Sequence, residues 1–133
     1  MEHSQLTEKI IHCAYAVHNE IGSGLLESVY EKAMMIALRK SGLDVAAQVP
    51  LKVFFQGECG GDFYADIIVN DTVILELKAC RSLAAEHEVQ LVNYLNIARK
   101  EIGLLINFGE SKVEVRRKHR KYEPSTRTTA LAD

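Results

Sequence analysis

The sequence predicts an α/β domain in which helices pack on a mixed β-sheet. Three observations favour this class. Two N-terminal segments repeat apolar residues at helical spacing, the region 63–78 reads as a β-hairpin, and residues 102–108 form an almost continuous apolar run typical of a buried strand. The predicted element order is α-α-β-β-β-α-β-β.

Two helices are predicted before the first strand. Thr7 is the expected N-cap of the first helix, which ends near Ile21 before Gly22. The second helix runs from about Leu26 to Lys40. Its expected inward residues are Val29, Tyr30, Ala33, Ile36 and Ala37.

The remaining elements follow from local signals. Residues 45–56 read as a strand whose Pro50 indicates a sheet edge or a bulge, and residues 57–61 as a turn. Ser82 is the expected cap of a third helix over residues 84–99. The run 102–108 and residues 112–120 complete the sheet, with Val113 and Val115 on one face of the last strand.

The hairpin over residues 63–78 carries three charged residues, Asp66, Glu76 and Lys78. A three-residue loop at 70–72 places Asp66 opposite Glu76, whereas a two-residue loop places them on opposite faces. We favour the longer loop because it keeps one face apolar. That face would hold Ala65, Ile67, Val69, Val73, Leu75 and Leu77. The other face would hold Tyr64, Asp66, Ile68, Ile74, Glu76 and Lys78.

This register has a chemical consequence. Directly opposed residues have Cβ atoms about 4.5–5.5 Å apart, so two carboxylates there repel unless a positive charge lies between them. Mg²⁺ prefers a few carboxylate oxygens plus water, and Lys78 extends from the same face as Glu76. The pattern suits metal-assisted hydrolysis. The alternative from the hairpin alone is a partly solvated salt-bridge cluster.

Each of the other notable polar residues can be explained either by a functional role or by an ordinary structural one. On the third helix, Gln90 and Tyr94 lie four residues apart beside a packing face, with His87 one turn before. Glu27 opens the second helix, where the helix dipole alone favours an acid, and Glu31 follows one turn later. The basic run 116–121 could contact a phosphate backbone, although a strand would point half of it the other way.

Composition narrows the classes further. At 133 residues we expect a single domain over 1–121 and a polar C-terminal tail over 122–133. A net charge of −2 argues against a generally basic nucleic-acid-binding protein. The three cysteines form no CxxC pattern, so neither a zinc site nor a disulfide framework is expected. With no signal peptide and no apolar span, we expect a cytoplasmic protein without membrane contact.

The motifs together resemble the PD-(D/E)XK nuclease superfamily, whose core is restriction-endonuclease-like. Asp66 followed by Glu76-Leu-Lys78 is similar to its D…ExK signature. The segment 24–30, with Gly24, Glu27 and Tyr30, resembles the motif that names the GxxExxY protein family. The segment 90–94, Gln-Leu-Val-Asn-Tyr, resembles the QxxxY motif of the exonuclease-like branch. The residue before Asp66 is alanine rather than the proline of the full signature.

The resemblance implies roles for these residues. Asp66, Glu76 and Glu27 would bind Mg²⁺ or Mn²⁺, and Lys78 would be the catalytic lysine. Gln90 and Tyr94 would orient the lysine, the water or the DNA backbone. His18 roughly matches a metal-binding histidine of some relatives.

Two functions follow from the resemblance. The first is a divalent-metal-dependent nuclease that hydrolyses DNA phosphodiester bonds. The second is a non-catalytic module that keeps the nuclease fold for nucleic-acid binding or protein assembly. A homodimer is compatible with either, because a chain of this size offers little surface to hold a duplex.

Overall fold

A computed structural model describes residues 3–122. Its elements follow the predicted order α-α-β-β-β-α-β-β, which is confirmed. The bounds are α1 (Ser4–Ile21), α2 (Glu27–Lys40), β1 (Val45–Phe55), β2 (Glu58–Val69), β3 (Val73–Lys78), α3 (Ala85–Ala98), β4 (Ile102–Phe108) and β5 (Val113–His119). The predicted tail lies outside the described residues from position 123 onward.

The strands form a mixed sheet in the order β1-β2-β3-β4-β5. Among the strands of residues 3–122, β3 and β4 are the one parallel pair of neighbours, and α3 makes the crossover between them. Pro50 lies in β1 at the edge of the sheet, as predicted, where a missing backbone N–H costs little. The buried strands β3 and β4 therefore occupy the centre of the sheet, where neighbours cover both faces.

Two hydrophobic clusters cover the two faces of the sheet. The cluster under α1 and α2 includes Ile10, Tyr30, Ile67, Leu75, Leu104 and Phe108. The cluster under α3 includes Leu51, Ala65, Ile68, Ile74, Leu91, Tyr94 and Leu105. Alternate residues of β3 and β4 thus point to opposite sides, which makes the face with Glu76 and Lys78 the α3 side.

Both predicted caps at Thr7 and Ser82 are wrong. Helix α1 begins at Ser4, and the hydroxyl of Thr7 donates within the first turn to the carbonyl oxygen of His3 at 3.2 Å. Helix α3 has Ala84 at its N-cap position, and Nδ1 of His87 accepts its backbone N–H at 3.0 Å. A histidine three residues into the helix therefore accepts the N-cap N–H, which in a capping box is bonded by Glu or Gln at the same position.

The inward face of α2 also differs from the prediction. Its buried residues are Tyr30, Met34 and Leu38, whereas Val29 and Ile36 are 40% and 50% exposed. The helix therefore packs along an i, i+4, i+8 line that begins at Tyr30. The ring of Tyr30 stacks on Phe108 at a centroid distance of 4.5 Å, which anchors α2 to the end of β4.

The β1–β2 hairpin is longer than predicted. Strand β2 begins at Glu58 instead of after the glycine-rich segment, because the turn is confined to Gln56 and Gly57, which both have positive φ. The connection between β2 and β3 has the predicted register, with Val69 opposite Val73. In it, Asn70 and Asp71 also have positive φ, and Thr72 is the extra residue on the β3 side.

The face assignment of Ala65 was wrong. Ile67 belongs to the cluster under α1 and α2, but Ala65, two residues earlier, packs in the cluster under α3. The same change of face occurs in β1, where Val45 packs against the cluster under α1 and α2 and Val49 packs against the cluster under α3. Simple alternation therefore fails between residues 65 and 67, and Asp66 lies at that irregularity.

Candidate active site

The Asp66–Glu76 pair lies where the backbone hydrogen bonding between β2 and β3 ends. Pairing of β2 with β3 runs from Val69 and Val73 to Ile67 and Leu75 and then stops. In place of the next backbone bonds, a carboxylate oxygen (Oε2) of Glu76 accepts the N–H of Asp66 at 2.9 Å.

The Asp66 carboxylate makes the reciprocal contact. Its Oδ2 accepts the N–H of Leu77 at 2.8 Å. Each acid is thus held through one oxygen by the opposite strand, and the second oxygen is left for another partner because a carboxylate has about four acceptor positions. The predicted proximity of the two acids is confirmed by these crossed bonds.

Burial and mutual repulsion control the ionisation of this pair. Glu76 is 4% exposed, and its burial together with the negative charge of Asp66 raises its pKa to about 8. Burial also raises the pKa of Asp66, opposed by the hydrogen bond from Leu77 and the charge of Lys78. Such a pair carries less than two negative charges at neutral pH and would ionise fully when a cation neutralises it.

Lys78 supplies positive charge beside the two acids. It ends β3, two residues after Glu76, and its ammonium lowers the pKa of both Asp66 and Glu76. The effect of Lys78 is smaller than that of burial, because the pKa of each acid remains raised. The structure therefore brings together the three charged residues of the hairpin as predicted.

Helix α2 supplies the wall opposite Asp66. A cavity of about 160 Å³ is lined by Glu27, Ser28, Glu31, Gln48 and Asp66. Glu27, the acid predicted from the helix motif, is the first residue of α2 and is exposed. Glu31, one turn later, accepts a hydrogen bond from Gln48 at 2.6 Å, and its charge contributes to raising the pKa of Glu76.

Gln90 and Tyr94 lie in a different cavity. The amide nitrogen of Gln90 donates to the hydroxyl of Tyr94 at 2.8 Å. Both line a groove of about 620 Å³ between α3 and the β1–β2 hairpin, which also includes Val53 and Phe63. Tyr94 packs in the same cluster as Ala65, the residue before Asp66. Within the described part of the chain, however, Gln90 and Tyr94 make no hydrogen bond to Asp66 or Glu76.

His18 makes a contact at the far end of α1. Its Nε2 lies 2.8 Å from the carbonyl oxygen of Gly109, and its ring lies 6.5 Å from that of Phe108. It is not among the residues that line the cavity beside Asp66. Its role as a metal ligand stays a prediction.

The basic run is divided between the two faces of β5. On the α3 face, Arg116 bonds Glu88 and Glu114, both at 2.9 Å, and Lys118 bonds Glu88 at 2.6 Å. On the opposite face, Arg117 donates to the hydroxyl of Thr7 at 2.8 Å. Several residues of the run therefore make contacts within the chain. Arg116 and Lys118 lie on one face of β5 and Arg117 on the other, as the alternation of side chains along a strand predicts.

Comparison with known proteins shows which family the chain belongs to. A family profile described as the PD-(D/E)XK nuclease superfamily matches residues 4–118. The chain belongs to the PD-(D/E)XK nuclease superfamily. No curated protein matches the sequence significantly.

Among solved structures, the fold is similar to the crystal structure of SSO0001, with a TM-score of 0.58 and 19% sequence identity. The alignment covers 98% of this chain and 65% of SSO0001, so the chain spans about two thirds of that protein. At this identity the likeness shows the fold alone. No helix within residues 3–122 is long and apolar enough to cross a membrane.

PD-(D/E)XK nucleases generally use divalent metals. Within residues 3–122, no group of three or more His, Cys, Asp or Glu side chains is close enough together to form a complete metal shell. The donor set nevertheless fits a hard cation that keeps waters, because Asp66 and Glu76 offer paired carboxylate oxygens and both resist ionising without a counter-charge.

Two residues beside the acids were not among the predicted site residues. Glu31 was visible in the sequence as the next acid on the helix face of Glu27, but nothing there ranked it above Glu27. No sequence signal pointed to Gln48, because its contact with Glu31, 17 residues earlier in the chain, depends on how β1 and α2 meet in the fold.

Proposed function

We propose that this protein is a divalent-metal-dependent nuclease that hydrolyses DNA phosphodiester bonds with Mg²⁺ or Mn²⁺. The observation that carries the proposal is the Asp66–Glu76 pair, held by crossed hydrogen bonds where β2 and β3 separate, with Lys78 at the end of β3. The GxxExxY assignment from Gly24, Glu27 and Tyr30 is part of the same proposal.

Each residue has a role that follows from its position. The oxygens of Asp66 and Glu76 that are not held by the opposite strand would bind the cation, and the carbonyl of Leu77 would be a third ligand. A bound cation would supply a more acidic water and stabilise charge on the phosphate. Lys78 would hold the attacking water or a phosphate oxygen by donating a hydrogen bond. Gln90 and Tyr94 would contact the DNA backbone from the neighbouring groove.

The proposal is tested by hydrolysis of single- and double-stranded DNA with Mg²⁺ or Mn²⁺. We expect wild-type cleavage that is lost in Asp66→Ala and Lys78→Ala. Lys40→Ala, which removes an exposed lysine at the end of α2, is the matched control and should cleave normally. Cleavage that survives both site substitutions would contradict the proposal.

A second candidate is a non-catalytic nuclease-fold module for nucleic-acid binding or protein assembly. Its protein-assembly form is favoured by the ion pairs of Arg116 and Lys118, because acids of the same chain then occupy part of the basic run that would otherwise contact phosphates. Calorimetry separates the two candidates. Folded protein that takes up neither Mg²⁺ nor Mn²⁺ at millimolar concentration would favour the module. Sedimentation with and without DNA would test the homodimer and DNA as its partner.

A further inference from the structure

Gln48 has a backbone conformation that its residue type seldom adopts. Its φ is +49°, in the left-handed region, although it lies within β1. Non-glycine residues in this region are uncommon, and in a strand they interrupt regular pairing. The β1–β2 ladder accordingly pairs Ala47 with Ile67 and Val49 with Ala65 but skips Gln48 and Asp66 between them.

The unusual conformation directs the Gln48 amide at two acids. Its Nε2 donates to Oε1 of Glu31 at 2.6 Å and lies 3.5 Å from Oδ1 of Asp66. The Oδ1 atom is the oxygen of Asp66 that Leu77 does not hold. An amide donor thus lies between a carboxylate from α2 and a carboxylate from β2, in the cavity that both line.

Glu27 lacks this connection. It shares the cavity wall, yet it is exposed at the first position of α2, where the helix dipole accounts for an acid. Glu31 is one turn further into the helix and is partly buried, with its carboxylate already held toward Asp66 by the Gln48 amide.

We propose that Gln48 is a positioning residue that holds Glu31 toward Asp66, so that Glu31, and not Glu27, is the helical carboxylate that contributes to the cation site beside Asp66. This inference rests on the proposed function. Residues that hydrogen-bond to a metal ligand orient it, and their loss typically lowers metal affinity about 10–100-fold. Gln48 would act through Glu31 and not by itself contacting the substrate.

Calorimetric titration with Mn²⁺ tests the role of the side chain. Gln48→Gly keeps and relaxes the left-handed backbone while removing the amide, so the fold should be retained and a purely backbone role would leave affinity unchanged. We expect Gln48→Gly and Glu31→Gln each to weaken Mn²⁺ binding by about tenfold or more. Glu27→Gln, the same change one turn earlier, should weaken binding by less than about twofold.

The double variant Gln48→Gly/Glu31→Gln separates positioning from an independent contribution. If Gln48 acts through Glu31, the double variant should bind Mn²⁺ about as weakly as Glu31→Gln alone, because coupled residues are non-additive. Three results would overturn the inference while leaving the proposed function intact. The affinity losses of Gln48→Gly and Glu31→Gln could multiply in the double variant, or Gln48→Gly could bind Mn²⁺ as tightly as wild type. The third is a loss of Mn²⁺ affinity in Glu27→Gln equal to that in Glu31→Gln. A wild-type protein that takes up no Mn²⁺ would overturn both.

Discussion

At the residue scale, Glu76 is a carboxyl group whose surroundings oppose its ionised form. It is almost fully buried and faces Asp66, and burial followed by the charge of Asp66 raises its pKa to about 8. Its hydrogen bond from the Asp66 backbone and the nearby Lys78 reduce this shift without cancelling it. The metal-free protein therefore holds a proton here that the unfolded chain releases near pH 4.5.

This proton predicts how stability depends on pH. Because the folded-state pKa is raised above the value of 4.5, the favourable contribution is complete below pH 4.5 and is lost as pH rises to about 8. In chelator, the free energy of unfolding should fall by up to about 1.4 kcal/mol per pH unit across this window. Glu76→Gln, which cannot ionise, should flatten the slope measured by urea denaturation. Equal slopes in both proteins would contradict the prediction.

Asn107 is a second buried polar residue with a defined structural task. It is 1% exposed and lies beside Lys78 in the β3–β4 register. Its side chain accepts the N–H of Cys80 at 2.9 Å and donates to the carbonyl of Cys80 at 2.8 Å. The side chain thus acts as a substitute peptide group that continues the pairing just beyond Lys78.

We expect Asn107→Ala to lower the free energy of unfolding by about 1–3 kcal/mol, because it leaves the partly buried N–H and C=O of Cys80 without the Asn107 side chain as a partner. Asn19→Ala, at an exposed position on α1, is the control and should change it by less than about 0.5 kcal/mol. Chemical denaturation at one pH gives both values. A loss no greater than the control would mean that water replaces the amide.

At the element scale, α3 approaches β4 closely at Gly103. A Cβ atom there would lie 2.7 Å from Cδ1 and 3.1 Å from Cγ of Leu91, so the glycine permits the helix to lie against the strand. Leu91 is fully buried in the cluster that also contains Ile74, Leu105 and Tyr94. The position of α3, and with it the Gln90–Tyr94 groove, therefore depends on a missing side chain in a neighbouring element.

Gly103→Ala should destabilise the fold by about 1–3 kcal/mol through overpacking. Adding Leu91→Ala should recover part of that loss, because the smaller side chain leaves room for the new methyl group. A thermodynamic cycle of the two single variants and the double variant, measured by denaturation, gives the coupling. Strict additivity would show that the helix moves away instead.

At the scale of the whole molecule, stability and the candidate chemistry use different residues of one short strand. Leu75 and Leu77 are buried under α1 and α2, whereas Glu76 and Lys78 point to the other side near the point where β2 and β3 separate. The core beneath the acids therefore holds the strand in place independently of the lysine.

This separation predicts opposite outcomes for two substitutions on β3. Leu75→Ala should reduce the free energy of unfolding by about 2–5 kcal/mol, because it removes a fully buried side chain. Lys78→Ala should retain wild-type unfolding while losing DNA cleavage, as followed by thermal denaturation and nuclease assay on the same samples. An unfolded Lys78→Ala protein would assign the lysine to the fold.

The sequence by itself determined the order of elements and the register that opposes Asp66 to Glu76. Both depend on local signals: the apolar residues on either side of the 70–72 turn allow one register that keeps a buried face, and β4 is apolar throughout. The edge position of Pro50 followed from its missing N–H.

Only the tertiary structure decided which groups surround those acids. Each of these contacts joins different elements of the fold. Gln48 of β1 bonds Glu31 of α2, and Ala65 of β2 packs in the cluster under α3. Arg116 and Lys118 of β5 pair with Glu88 of α3. Local pattern cannot rank Glu31 against Glu27, because one turn of helix separates them and only the crossing of α2 over β1 selects between them. The acid pair is a property of one hairpin, whereas its environment is a property of the packed sheet and helices.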